Sequence, residues 1–502
     1  MVKSSGGTGS GASRSPRQVL ADTFDVLVIG AGPGGYVTAI RAAQHGLRVG
    51  VVERDKVGGA CLNRGCIPTK AMLHGADVLH EIAGAQKLGI SVGGVAVDVA
   101  GLESFAGSVV TRLVGGVTGL LAANGVEVIR GSARVVAKGS VRVSDEDGRV
   151  TRELGAAHII VATGASPKSI PGVVPDGNRI WTSTEALRPG SLPASLLVIG
   201  SGAIGSEFAS LYRDLGSEVT LLEALPRILP VEDPEVSAFV EKQFRARGID
   251  VSTGVRISSV EAGPDSVRTT FTTPGGEERT VTSERVLVAT GIAPNSGGFG
   301  LEELGVKIGR RGFIETDEWC RTGVAGLSAI GDVAGGPCLA HKASEEGVIC
   351  VDHIVGEPGV RPLDRDWVPG CTYSRPQVAS IGLTEEQARE RGFRVRVGRF
   401  DLSGNGKAMA MLQDAGFVKT VFDADSGHLL GAHMVGPEVV EMVQGFGIAH
   451  RFDATAEDLA DVIFAHPTVS EAMHESDLDF LGRVIHWPPS HKPQPGIAAV
   501  VA

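Results

Sequence analysis

An α/β chain is what the sequence predicts, with two copies of a strand–glycine turn–helix unit and a strand-rich third unit behind them. Three observations carry this expectation. The run DVLVIGAGPGG at 25–35 returns 170 residues later as SLLVIGSGAIG at 195–205. In each copy an acid stands 23 residues after the first glycine, ending a second apolar run: Glu53 and Glu223. After Asp364 the pattern changes to short apolar runs separated by turn residues, as in Gln377–Gly382, Gly416–Phe422 and His428–Val435, with an apolar helix at Val439–Ala449.

Within each copy the glycines have separate tasks. Gly30 and Gly200 permit the turn, Gly32 and Gly202 let a pyrophosphate approach the backbone, and Gly35 and Gly205 allow close helix–strand packing. The amides of a helix beginning near Pro33, and of its counterpart after Gly202, then face negative charge. Glu53 and Glu223 stand where a ribose hydroxyl needs an acceptor. One such glycine pattern is a weak signal, but two, each after an apolar strand and each with its acid, predict two Rossmann-like dinucleotide-binding domains. Glu223 favours NAD over NADP, because a 2′-phosphate would meet like charge, although Arg227 lies close in sequence. The strands at Ile159–Gly164 and Val286–Gly291 both end in Thr-Gly, and each closes one nucleotide unit. Leu327–Asp332 is a further apolar strand, whose terminal acid is equally compatible with a helix cap and a cofactor ligand.

Directly behind the first unit comes GGACLNRGCIPTK, Gly58–Lys70. Cys61 and Cys66 do not have zinc-ligand spacing, and no second Cys/His cluster lies nearby. An undistorted helix would set them roughly 7.5 Å apart along its axis, too far for an easy disulfide. Gly65 offers a place to distort the helix, and Pro68 limits where regular helix resumes. A cysteine pair beside a nucleotide site points to a redox-active disulfide.

Composition bounds the function classes. The 502 residues suggest about three domains at roughly 150 residues each. A formal charge of −11 argues against nucleic acid or an anionic membrane as partner. Six cysteines in such a chain are no disulfide scaffold, which implies a reducing, cytoplasmic compartment and a soluble protein. The longer uncharged stretches, such as Val26–Ile40, are broken by glycines and fall short of a membrane span. Residues 1–21, rich in Ser and Gly, read as a disordered or non-native tail, and 488–502 as a Pro-rich surface tail.

Together, the two fingerprints, Cys61–Lys70, and the segments Gly34–Ala43, Gly331–Asp332, Leu339–Gly347 and Ala465–Glu471 resemble the flavoprotein disulfide reductases, from about Phe24 to Trp487. The resemblance implies FAD in the first domain (22–167 and 292–363), NAD in the second (168–291), and an α+β dimerisation domain at 364–487. It implies Glu53 on the FAD ribose, Asp332 on the ribityl chain, and Gly131, Thr163, Gly164 and Cys338–His341 (Cys338, Leu339, Ala340, His341) along FAD. For NAD it implies Val255 and Gly291 beside the second fingerprint, with Lys70 and Glu207 paired near both reactive rings. Cys61 would exchange thiols with substrate, while Cys66 would face the flavin as a thiolate.

His466, held before Pro467 with Glu471 five residues on, reads alone as an ordinary structural histidine. Beside a redox cysteine pair it reads as the general base, with Glu471 orienting its ring. The resemblance implies that both reach the disulfide of the partner subunit in a homodimer. The AHKASEEG segment favours the lipoamide-linked branch: oxidation of protein-bound dihydrolipoyl groups with NAD+ as acceptor. Lipoyl-bearing acyltransferases or carriers of 2-oxo acid dehydrogenase or glycine cleavage systems would then be partners. Reduction of a glutathione- or mycothiol-type disulfide by NADPH is the alternative, against which Glu223 counts. Mercuric and large thioredoxin reductases need a further C-terminal cysteine pair, and the last cysteine here is Cys371. A thiol-free transhydrogenase would leave Cys61 and Cys66 unused, and a purely structural subunit would not need Cys61, Cys66, His466 and Glu471 together. Ala60 and Phe464 depart from frequent family residues without removing a group the chemistry requires.

Overall fold

The computed structural model describes residues 22–490; the N-terminal tail and most of the Pro-rich C-terminal tail lie outside the described residues. Asp22–Ile29, buried on both faces from Val26 onward, pairs in parallel with Val49–Glu53 on one side and Val150–Val161 on the other. Glu127–Arg130 extends that sheet beyond Val49–Glu53, and Leu327–Ala329 joins it beside Val150–Val161. Near-continuous Val, Leu and Ile explain this placement, because a strand covered on both faces has no polar side to show. The second sheet repeats the plan, all parallel, in the order Ile249–Ser252, Glu218–Leu222, Ser195–Ile199, Arg285–Val288, Ile180–Trp181. A three-stranded antiparallel meander, Arg256–Ser283, begins four residues after Ser252 and has no counterpart among the elements the sequence pattern predicts.

The chain crosses between the two sheets twice, and the crossings pair with each other: Ala165–Pro167 runs antiparallel to Ile292–Pro294. The C-terminal unit is a five-stranded antiparallel sheet in which Gln377–Gly382, Leu429–Gly436 and Phe417–Asp423 are central. Helices Val439–Arg451 and Glu471–Leu481 cover it. The strands and helix expected there are present within a residue or two of their sequence positions.

Helix Cys66–Gly84 starts at the second cysteine of the pair and packs on Ala203–Leu215, the helix of the second fingerprint. Met72 and Ala76 from the first, Phe208 and Tyr212 from the second, and Val378 and Phe417 from the C-terminal sheet share one apolar cluster. Full burial of a side chain such as Met72 contributes about 1.5–3 kcal/mol, so this cluster fixes the three units where the site is assembled. Among the described residues one helix, Val99–Ala123, is long and apolar enough to cross a membrane by length and composition. It lies along Cys66–Gly84 and leaves Phe105, Leu113 and Leu120 exposed.

Candidate active site

Both glycine turns adopt the conformation their residue type allows. Gly30 has φ +102° and Gly200 φ +96°, the region L side chains rarely enter. A Cβ on Gly35 would lie 1.9 Å from the Gly30 carbonyl oxygen, and one on Gly205 1.8 Å from that of Gly200. The third glycine therefore lets the helix close on its own turn. A Cβ on Gly202 would meet nothing within 4 Å, and one on Gly32 only Gly59 Cα at 3.9 Å. These second glycines face open space, and neither helix N-terminus has a side-chain cap to occupy its amides.

That space is a single cavity of about 1590 Å³ reaching from the first fingerprint to the second. It exceeds the ~300–1,000 Å³ of an ordinary small-molecule pocket. Gly131, Thr163, Gly164, Asp332, Cys338, Leu339 and Ala340 line its first part, and Val255 and Gly291 its second. Gly35, Gly205 and His341 are not on its wall; His341 Nε2 lies 2.9 Å from the Pro369 carbonyl oxygen. The two acids stand on the wall with their backbones' help. Glu53 accepts N–H bonds from Ala31 and Asp55, at 2.7 and 2.8 Å. Glu223 accepts from the Ser201 N–H at 2.8 Å, the Ser201 hydroxyl at 2.7 Å and the Leu225 N–H at 2.9 Å. Arg227 is not on the wall and has Glu386 as its nearest acid, at 4.0 Å.

Asp332 has no side-chain hydrogen bond among the described residues, and burial raises its carboxyl pKa against the opposing pull of Lys342. It caps no helix here. A half-buried carboxylate aimed into the cavity without a donor fits a ligand that brings hydroxyls. With the two open glycine turns and the two wall acids, it makes the residues present a fit for FAD in the first part and NAD in the second.

Helix Gly59–Arg64 ends at Gly65, whose φ −141° and ψ −117° lie outside the helical and strand regions; helix restarts at Cys66. The expected distortion is therefore real, and both free thiols stand on the cavity wall. The Cys66 thiol is lowered to about 7: the bond from Cys61 favours its thiolate, burial opposes this, and Lys70 adds to the lowering. Cys61 moves the other way, raised because it donates that bond and because it is buried. Of the two, Cys66 is the sulfur favoured as thiolate and Cys61 the one favoured to keep its proton.

Lys70, one turn after Cys66, places Nζ 2.8 Å from both carboxylate oxygens of the buried Glu207. Tyr373 completes this group: its N–H donates to Glu207 at 3.0 Å and its ring lies 4.4 Å from Lys70 Nζ. Neither Tyr373 nor Ser201 was singled out in the sequence. The position of Ser201 inside the second fingerprint was the one available signal.

His466 Nδ1 lies 2.9 Å from Glu471 Oε1, and the Thr468 N–H donates to the other oxygen at 2.8 Å. Burial would raise the Glu471 carboxyl, but the Thr468 amide and His466 outweigh it and hold it below the usual carboxylate range. With Nδ1 engaged, Nε2 is the nitrogen left for proton transfer. The His466 side chain is 79% exposed, and neither His466 nor Glu471 lies on the cavity wall. Both therefore stand off the wall that carries Cys61 and Cys66 in the same chain. Of the departures, Ala60 lines the cavity, and the Phe464 ring lies 5.3 Å from that of His474.

Comparison with known proteins places this geometry. Residues 24–347 match the pyridine nucleotide-disulphide oxidoreductase family model, and 368–477 match its dimerisation domain. A dihydrolipoyl dehydrogenase of Zymomonas mobilis is 50% identical, covering 93% of this chain and 100% of that protein. One of Rhizobium etli is 47% identical with the same coverage of both. Among solved structures, LpdA from Mycobacterium tuberculosis superposes with a TM-score of 0.84 at 29% identity, over 91% of this chain and 99% of its own.

Proposed function

Because the chain belongs to the pyridine nucleotide-disulphide oxidoreductases, we propose that Cys61 and Cys66 are the redox pair through which it acts as a dihydrolipoyl dehydrogenase. The observation that carries this is one cavity holding both nucleotide fingerprints, the paired thiols and the Lys70–Glu207 ion pair. In the oxidised enzyme, His466 of the partner subunit takes a proton from a dihydrolipoyl thiol, with Glu471 holding the imidazole and stabilising its cation. The resulting thiolate attacks Cys61 Sγ; the Cys61–Cys66 bond breaks and Cys66 leaves as a thiolate stabilised by Lys70. The second substrate thiol displaces Cys61 and its proton passes to the Cys61 sulfur, so the lipoyl disulfide forms and the protein pair is left reduced, with a thiol at Cys61, a thiolate at Cys66 and the first proton on His466. FAD supplies the two-electron exchange between that dithiol and NAD+. Glu223 meets the ribose of NAD, and its charge turns away a 2′-phosphate.

The reading assigns residues 22–167 and 292–363 to the FAD-binding unit, 168–291 to the NAD-binding unit and 364–487 to the interface of a homodimer. Its substrates are lipoyl groups carried by the acyltransferases or carrier proteins of 2-oxo acid dehydrogenase or glycine cleavage systems, met in the cytoplasm. The test is anaerobic reduction of NAD+ by dihydrolipoamide, with NADP+, and with NADPH plus glutathione disulfide, in parallel. NADH formation with NAD+ alone, abolished by Cys61→Ser, is expected. Brisk NADPH-dependent reduction of another disulfide, without lipoamide turnover, would keep the thiol relay and overturn both substrate and direction.

A further inference from the structure

Helices Cys66–Gly84 and Ala203–Leu215 come from different nucleotide units and lie side by side. Their first cross-link is Lys70–Glu207. Seven residues further along each helix, about two turns, stand two acids, Asp77 and Asp214. Burial raises the Asp77 carboxyl, Arg375 pulls it back, and Asp214 adds to the rise as like charge.

Arg375 lies between them. Its guanidinium reaches Asp77 Oδ1 at 2.5 Å and Asp214 Oδ2 at 3.3 Å, and Arg247 holds the second oxygen of Asp214 at 2.5 Å. The Arg375 N–H also donates to Ser210 Oγ at 2.9 Å, on the same helix as Glu207. Two residues earlier, the Tyr373 N–H donates to Glu207 itself. The segment Tyr373–Arg375 therefore runs along both helices and touches both cross-links.

We propose that Arg375 is a positioning residue for the redox centre, tying the two helices together so that Lys70 and Glu207 stay in register beside Cys66. The inference rests on the reading of Cys61 and Cys66 as the redox pair and deepens it. Arg375 meets the first helix eleven residues beyond Cys66, roughly 16 Å along its axis, so it acts through Lys70 and Glu207 and not through its own field. The groups around Cys66 are Cys61, Lys70, Glu207 and Tyr373; those around Arg375 are Asp77, His80, Asp214 and Arg247.

The test uses the reduced, FAD-loaded dimer. Alkylation of the Cys61/Cys66 pair by iodoacetamide is followed against pH, with peptide mapping to separate these thiols from the others. In Arg375→Gln the alkylation midpoint rises by about one pH unit, and Arg375→Lys returns it toward the parent value. The kcat for dihydrolipoamide-dependent NADH formation falls about tenfold while KM for NAD+ holds. A folded Arg375→Gln protein with the parent midpoint overturns the proposal. Should that variant fail to fold, Asp77→Asn, which removes one arm of the tie, decides: a smaller upward shift supports the proposal and an unmoved midpoint overturns it. Alkylation needs no disulfide substrate, so a parent chain without lipoamide turnover would sink the functional reading while leaving this comparison standing.

Discussion

The two fingerprint turns share a backbone and differ in how they hold their acids. Gly30 and Gly200 differ by only a few degrees in φ, and the third glycine of each leaves no room for a Cβ. Glu53 nevertheless receives two backbone amides and stays partly exposed, whereas Glu223 receives two amides and a hydroxyl and is 7% exposed. The extra hydroxyl bond comes from one residue, Ser201 where the first turn has Ala31. Turn geometry here is dictated by sterics that any nucleotide would share. Placement of the acid, on which the proposed preference for NAD would rest, differs with a side chain that varies between the two turns without disturbing their backbone.

Breaking the shared part should cost most. Gly35→Ala and Gly205→Ala each drive a methyl into a backbone oxygen, a strain of about 1–3 kcal/mol. The first should yield protein poor in flavin, read from its visible absorbance. The second should retain flavin and lose NAD+ affinity by roughly 5- to 150-fold. Equal flavin loss in both would mean that the two units do not bind separately. Glu223→Ala comes next: a hydrogen bond to a charged group contributes about 1.5–3 kcal/mol, so KM for NAD+ should rise about tenfold or more while that for NADP+ does not. Ser201→Ala, which makes the second turn resemble the first, should be mildest, about 0.5–1 kcal/mol or roughly 2- to 5-fold in KM for NAD+. No change at Ser201 would show that the two amides alone position Glu223.

How far the sequence could be read follows the same division. Features fixed by local sterics are legible: the glycine spacing, the acids closing the second strands, and Gly65 as the break between the cysteines. The alternating runs of the C-terminal sheet are legible too, because side-chain period marks a half-buried strand. The ties made across the fold are not. Tyr373 meets Glu207 over 166 residues and Arg375 meets Asp77 over 298, with no periodicity to announce either. Helix Val99–Ala123 carries Glu103 and Arg112, so a search for uncharged runs passes over it. His466 is legible as a histidine held by an acid, but the thiol it would serve is not within reach in its own chain.

The paired crossings Ala165–Pro167 and Ile292–Pro294 give the second nucleotide unit one doorway into the first. A body whose entry and exit strands are hydrogen-bonded neighbours can be inserted or excised without stretching its host, as closely spaced domain termini allow. Read in the terms of gene history, duplication of one nucleotide-binding module and insertion of the copy at a single site would produce this chain. The ribbon is then the seam of that event, and the natural place to cut when the second module is to be exchanged for one that binds a different nucleotide.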